Sequence, residues 1–159
     1  MPYSAWMRTI LELDLPITPQ TATHQSGLRI IKTKDGRQFI GKYHKSDQYK
    51  WAQSFTAMLK TAKGDWVCQD GPVRVRLGFF FAHNKCTGTR LSRLVIPKST
   101  KPDLDNMAKM ILDCMTEAGV LVDDGKISEL TLSKWHTPHH PHISIYVESL
   151  STLTQPPNV

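Results

Sequence analysis

The sequence contains little cysteine and no long apolar run, and these absences exclude several classes of protein. Its 159 residues include 3 cysteines, at positions 68, 86 and 114, and this wide spacing matches neither a disulfide framework nor a paired zinc motif. The longest apolar stretches, such as residues 77–82, are far shorter than the about 20 residues of a membrane-spanning helix. Residues 1–9 lack the apolar segment of a secretory signal. We therefore expect a cytoplasmic protein without membrane attachment.

What the sequence does contain is typical of one compact, basic domain. Hydrophobic residues make up 40% of the chain and charged residues 21%, a composition that can bury a core. Lysine and arginine number 20 against 14 aspartates and glutamates, which gives a formal net charge of +6. A basic protein favours a polyanionic partner such as nucleic acid, although charge alone is weak support for one.

Local patterns predict an α+β fold, with a mixed β-sheet and two main helices in a single domain over residues 1–150. The predicted strands occupy residues 10–15, 28–34, 38–43, 72–82, 127–135 and 142–148, where apolar residues alternate or run together. The predicted helices occupy residues 46–63 and 103–118, where apolar residues recur at helical spacing and a glycine follows. Asp35-Gly36 predicts a hairpin turn, and residues 151–159 are expected to form a flexible tail.

One long segment, residues 83–102, differs from the rest by its charge. It contains no acidic residue, and its basic residues are Lys85, Arg90, Arg93, Lys98 and Lys101. Long loops in compact domains often carry function, and lysine and arginine bind DNA phosphates. Because the segment leads directly to a group of aspartates, we predict a loop that contacts DNA, against the plainer interpretation of a solvated loop.

Five charged residues around the second predicted helix suggest a metal centre. Asp103 and Asp105 lie at the start of this helix, Lys109 follows one turn later, and Asp123 and Asp124 occupy the turn beyond it. If that turn folds back over the helix start, a third carboxylate joins the first two. Crowded carboxylates repel one another unless a cation neutralises them, and Mg²⁺ prefers such oxygen ligands. Such a metal can activate water against a phosphodiester, while the lysine can position that water, neutralise the leaving group or keep a carboxylate ionised.

Plainer interpretations of the same residues stay open at this point. Asp103 is suited to cap the helix, Asp105 to complement the helix dipole and pair with Lys109, and the Asp-Asp pair to form an ordinary turn. An EF-hand is disfavoured, because Met107 and Ala108 stand where that loop needs an oxygen ligand and a glycine.

Two further clusters are expected to be structural. The histidines at 136, 139, 140 and 142 form a tract of the kind that can bind zinc. However, prolines at 138 and 141 indicate a turn between strands and no cysteine lies nearby, so we do not predict a zinc site. The three phenylalanines at 79–81 are expected to lie in the core.

The sequence resembles the signature of the RusA-type Holliday junction resolvases, small endodeoxyribonucleases of bacteria and their phages. The signature residues are Lys-Pro-Asp-Leu-Asp-Asn at 101–106, then Lys109, Asp113, Ala118-Gly119 and Val122-Asp123-Asp124. The order of the predicted elements also resembles that family over residues 10–149. The resemblance implies a RusA-like fold and a homodimer that binds four-way or other branched DNA junctions. It also implies paired nicks that depend on Mg²⁺, with Mn²⁺ as a substitute.

The resemblance also implies roles for individual residues. Asp103, Asp105, Lys109 and Asp124 match the catalytic residues of the family, with the three aspartates as metal ligands and Asp123 as a less certain neighbour. The alternative is a module that binds DNA through residues 83–102 without cleaving it. A nucleotide-processing enzyme is a weaker alternative, because the sequence has no glycine-rich phosphate loop.

Overall fold

The computed structural model describes residues 10–20, 27–43, 46–68, 70–84 and 90–150. The tail expected at residues 151–159 lies outside these ranges. The strands are β1 (Ile10–Leu15), β2 (Gly27–Lys32), β3 (Gln38–Tyr43), β4 (Val73–Ala82), β5 (Ile96–Pro97), β6 (Ile127–Thr137) and β7 (His142–Ser149). The helices are α1 (Ser46–Ala62) and α2 (Leu104–Glu117), and 3-10 turns lie at Leu91–Arg93 and Asp124–Lys126. Neither helix of this described part is both long and apolar enough to cross a membrane.

Five strands form one mixed sheet in the order β1-β7-β4-β6-β5. The central strand β4 pairs in parallel with β6 and antiparallel with β7. The pairings of β1 with β7 and of β5 with β6 are antiparallel. Parallel strands cannot be joined by a tight turn, so residues 83–126 make a long crossover from β4 to β6 that contains α2. Two helices and a mixed sheet confirm the predicted α+β fold.

The hydrophobic core lies between one face of this sheet and the two helices. Alternate residues of β4 and β7 point into it, and Val75, Leu77 and Ile145 are at most 2% exposed. Phe55 of α1 and Met115 of α2 are fully buried in the same cluster. Each large apolar side chain buried in this way contributes about 1.5–3 kcal/mol. This shared core holds α2 against the sheet.

The expectation that residues 79–81 are all core is wrong for Phe80. Phe79 and Phe81 are 1% and 7% exposed. Phe80 is half-buried on the opposite face, where its ring stacks on His142 with the ring centroids 4.2 Å apart. Successive side chains of a strand alternate between its two faces, so an uninterrupted apolar run still divides between them.

The last two strands, β6 and β7, run antiparallel in direction, but they are not neighbours. β4 lies between them, so residues 138–141 connect strands that flank β4 instead of forming a tight hairpin turn. The most apolar strand fits the centre of a sheet because its neighbours cover both of its edges. Local sequence patterns do not report this order.

The hairpin of β2 and β3 forms a separate two-stranded sheet. Its turn spans Thr33–Arg37, with the Thr33 amide donating to Arg37 O at 2.9 Å and the Gly36 amide to Thr33 O at 3.0 Å. β2 therefore ends at Lys32, two residues before the predicted end. Gly36 has a φ of 82°, which glycine adopts without strain, and the turn predicted from Asp35-Gly36 is confirmed.

The prediction of one continuous loop over residues 83–102 is wrong. Residues 85–89 lie outside the described ranges, but the remainder contains the 3-10 turn at Leu91–Arg93 and strand β5, which pairs with β6. A two-residue edge strand that includes a proline is too short to give a periodic signal. The pairing fixes the end of this segment against the sheet.

The close packing around Gly78, on the sheet face that points away from the helices, gives the first prediction. A Cβ atom on Gly78 would collide with Ser144 Oγ and would lie 2.9 Å from a ring carbon of Phe80. Gly78→Ala should therefore lower the free energy of unfolding by about 1–3 kcal/mol, measured by urea denaturation. Adding Ser144→Ala should recover part of the loss. Gly71→Ala is the matched control, because a Cβ added there would have no atom within 4 Å. An equal loss of stability in both glycine variants would show that the loss does not come from the collision at Gly78.

Candidate functional site

At the start of α2, Asp103 is exposed to solvent and its carboxylate does not cap the helix. Asp103 is the N-cap residue, with φ −77° and ψ 138°, but its side chain makes no capping hydrogen bond. Its backbone oxygen accepts the Met107 amide at 3.2 Å. Pro102, which precedes it in a cis peptide with Lys101, is buried. The cap position is therefore confirmed, while the carboxylate oxygens stay available to another ligand.

Asp105 and Lys109 lie one turn apart on α2, and both are exposed. Residues four apart lie on one face of a helix, so Asp105 and Lys109 are on the same side of α2. No ion pair joins them within the ranges that the structure covers. The plainer interpretation of a mutual surface salt bridge therefore has no support in this structure.

The two aspartates of the turn after α2 do different things. Asp123 Oδ1 accepts the Gly125 amide at 2.6 Å and caps the 3-10 turn Asp124–Lys126. Asp124 is exposed, and no hydrogen bond to its side chain is found among the described residues. Lys126 Nζ lies 2.9 Å from Asp70 Oδ1. The hydrogen bond to Asp70 raises the pKa of the Lys126 ammonium, and the charge of Asp123 raises it further. Asp123 thus builds the turn that carries Asp124.

The turn Asp124–Lys126 contacts α2, but a tight three-ligand cluster is not formed. In the described part of the chain, no three histidine, cysteine, aspartate or glutamate side chains are grouped so that they can hold one metal ion. Mg²⁺ in phosphate-transfer sites commonly uses one or two carboxylates and completes its shell with waters and substrate phosphate. The exposed carboxylates of Asp103 and Asp105 are oxygen donors of the kind this ion takes. The third ligand, Asp124, stays a prediction.

The basic residues before α2 divide between exposed and fixed side chains. Arg90, Arg93 and Lys101 are exposed, whereas Lys85 lies outside the described residues. Lys98 is half-buried, and its Nζ lies over the Phe81 ring, 5.2 Å from the centroid, within the range of a cation–π interaction. Burial lowers the pKa of Lys98, and the neighbouring charge of Lys134 lowers it further.

Lys134 is a residue of this region that sequence reasoning missed. Its ammonium donates to Thr100 O and Pro102 O, both at 2.7 Å. Its backbone oxygen accepts the Lys98 amide at 2.9 Å. Lys134 lies on β6, 31 residues after Asp103 in the chain, and no motif points to it. Strand β6 also carries Glu129 and several serines and threonines, so a charged residue within it gives no distinct signal.

The clustered histidines are separated in space. The rings of His136 and His83 stack with centroids 5.6 Å apart. His136 Nδ1 lies 3.1 Å from Ala82 O, while His142 stacks on Phe80. His139 and His140 are exposed. Among the described residues, these histidines form no group of three that could hold a metal ion.

Two comparisons with known proteins bear on this site. The family model described as Endodeoxyribonuclease RusA matches residues 16–148, a range that includes α2, the turn after it and strand β6. A search of curated proteins finds no match. The match covers most of the 159-residue chain.

The unequal roles of the two turn aspartates give the second prediction. Asp123→Ala removes the acceptor of the Gly125 amide, so it should lower the free energy of unfolding by about 1 kcal/mol. Asp124→Ala removes no hydrogen bond among the described residues and should change the free energy of unfolding by less than about 0.5 kcal/mol. Thermal and urea unfolding check both values. A larger loss in the Asp124 variant would show that Asp124, and not Asp123, holds the turn.

Proposed function

Because the chain belongs to the RusA family of endodeoxyribonucleases, we propose that it resolves four-way and other branched DNA junctions by paired hydrolysis of phosphodiester bonds. The observation that carries this proposal is the start of α2, where Asp103 and Asp105 are exposed and Asp103 makes no capping hydrogen bond. Carboxylates that local structure has not satisfied are suited to bind a cation. DNA as substrate agrees with the cytoplasmic location expected from the sequence.

Asp103, Asp105 and Asp124 are the residues proposed to hold Mg²⁺, or Mn²⁺ in its place. When bound, the ion supplies activation of the attacking water and stabilisation of the leaving oxygen. The first two aspartates provide oxygen ligands from one rigid helix start. Asp124 contributes from a turn that contacts α2.

Lys109 is proposed as the fourth catalytic residue. Its exposed ammonium lies one helical turn after Asp105 and is not paired with it. A cation at this place can neutralise charge that develops on the phosphate oxygens, or orient the attacking water. Both roles need the lysine to be uncommitted before DNA binds.

The segment before α2 is proposed to bind the DNA backbone. Its predicted contacts are Lys85, Arg90, Arg93, Lys98 and Lys101. Arg90, Arg93 and Lys101 are exposed, and the segment leads directly to Asp103. Phosphates bound along it would enter the site beside the two aspartates at the start of α2.

Two symmetric cuts need two active sites, so a homodimer with two-fold symmetry is the simplest assembly that performs the proposed reaction. Each chain then supplies one complete group of aspartates, and the junction spans both. A dimer with one inactive chain should nick a junction on one strand without resolving it.

The third prediction concerns cleavage itself. Asp105→Asn keeps the size of the side chain but weakens its metal ligation, so cleavage of a synthetic four-way junction in Mg²⁺ should fall by about 100- to 1,000-fold. Binding to the same junction should persist. The measurement is single-turnover cleavage on gels, with a linear duplex and a chelator as comparisons.

Asp65→Asn is the matched control, because Asp65 is also exposed but lies in the turn after α1. It should cleave at the wild-type rate. Mixing wild-type and Asp105→Asn chains should produce singly nicked junctions if the dimer is correct. Salt-sensitive binding without Mg²⁺-dependent cleavage by the wild type would instead support a non-catalytic DNA-binding module.

The fourth prediction concerns the basic segment. If Arg93 contacts one phosphate, Arg93→Ala should weaken junction binding and reduce the slope of log K against log salt by about 0.9. Lys60→Ala is the control, because Lys60 is also exposed but lies in the last turn of α1. Fluorescence anisotropy over a salt series measures both. Equal slopes for the two variants would remove Arg93 from the DNA interface.

A further inference from the structure

Lys134 occupies an unusual place for a charged side chain. In the β4–β6 register it lies opposite Phe79, between Leu132 opposite Leu77 and His136 opposite Phe81. It therefore belongs to the row of β6 residues on the helix-facing side of the sheet. A charge that is partly removed from water there needs hydrogen-bond partners.

The partners of Lys134 are backbone oxygens and not an acidic side chain. Its Nζ donates to Thr100 O and to Pro102 O at 2.7 Å. No ion pair of Lys134 exists in the part of the chain that the structure describes. Hydrogen bonds from a charged donor are stronger than neutral ones. The ammonium therefore ties the turn before α2 to the sheet, and does not neutralise a carboxylate.

The same residue also holds the beginning of this turn. The Lys98 amide donates to Lys134 O at 2.9 Å, immediately after β5. Lys98 Nζ in turn donates to Thr100 Oγ1 at 2.5 Å. Residues 98–102 are thus fixed to β6 at both ends by one residue.

The contact with Pro102 O bears directly on Asp103. That oxygen belongs to the planar peptide group that ends at the Asp103 nitrogen, so fixing the oxygen fixes the orientation of the peptide and of the Asp103 backbone. The Asp103 side chain has no capping hydrogen bond to hold it. Its direction therefore depends on how firmly the backbone before it is held.

We propose that Lys134 is a positioning residue of the candidate site, whose ammonium orients Asp103 for metal binding by bracing the turn from Thr100 to Pro102. This inference rests on the proposed function for the role of Asp103. Lys134 itself touches neither the metal nor DNA in this role. Its effect is on metal affinity and not on junction affinity.

The test compares Lys134→Met, which keeps the length of the side chain but removes its donors, with Lys134→Arg, which keeps donors and charge. The first readout is binding of Mn²⁺ alone, measured by electron paramagnetic resonance without DNA. Lys134→Met should weaken Mn²⁺ binding by about tenfold, the loss typical when a residue that orients a metal ligand is removed. Lys134→Arg should bind Mn²⁺ nearly as well as the wild type. Lys60→Met is the matched control and should bind like the wild type.

The second readout separates positioning from simple destabilisation. Lys134→Met should raise the Mg²⁺ concentration for half-maximal junction cleavage by a similar factor, while junction affinity in Ca²⁺ stays unchanged. If Lys134→Met does not fold, Lys134→Gln is measured in the same way, because its uncharged side chain is one atom shorter and loses the two hydrogen bonds of the ammonium. Unchanged Mn²⁺ binding in the folded variant, or a wild type that binds no Mn²⁺, would overturn the inference. A wild type that binds Mn²⁺ but does not cleave junctions would overturn the proposed function. The positioning role of Lys134 would then still be tested by comparing Mn²⁺ binding of the wild type and the Lys134 variants.

Discussion

The parallel pairing of β4 with β6 is the constraint on which the rest of the structure depends. Parallel neighbours require a long connection that returns the chain to the same end of the sheet. Here that connection, residues 83–126, contains the basic segment, α2 and the turn with the two aspartates. The candidate catalytic residues therefore all belong to this one connection. The core between α2 and the sheet, which includes Ile111 and Met115, keeps this unit in place.

A second condition for the proposed site is that its carboxylates are not already hydrogen-bonded within the turns that carry them. At both turns of the crossover an aspartate is placed where capping is common, yet only Asp123 makes the capping bond. Asp103 and Asp124 keep their oxygens for another partner. The backbone before Asp103 is held instead by the ammonium of Lys134 on β6, which donates to Thr100 O and Pro102 O. The proposed metal site is thus compatible with an ordered helix start, because binding the ion and holding the backbone are assigned to different residues.

The sequence allowed prediction of nearly every element but not of their arrangement. The helical spacing around Ile111 and the Asp35-Gly36 turn are local signals, and both features are present in the structure. Strand order is set by pairings between distant residues, so neither the position of β4 between β6 and β7 nor the outward direction of Phe80 could be read from a local pattern. The roles of Asp103 and Asp105 were predicted from their spacing and from the family resemblance, and they stay predictions. Lys134 was missed because its partners are backbone oxygens, which leave no mark on the sequence.

The basic segment is anchored near both ends, by β4 on one side and by β5 with Lys134 on the other. Lengthening a chain between two fixed points costs little, about 0.6 kcal/mol for each doubling of its length. Insertions between Asn84 and Leu91 would therefore leave the start of α2 undisturbed. Under the proposed function, rebuilding that stretch would change which DNA shapes the protein binds, while the aspartates at the start of α2 stay as they are.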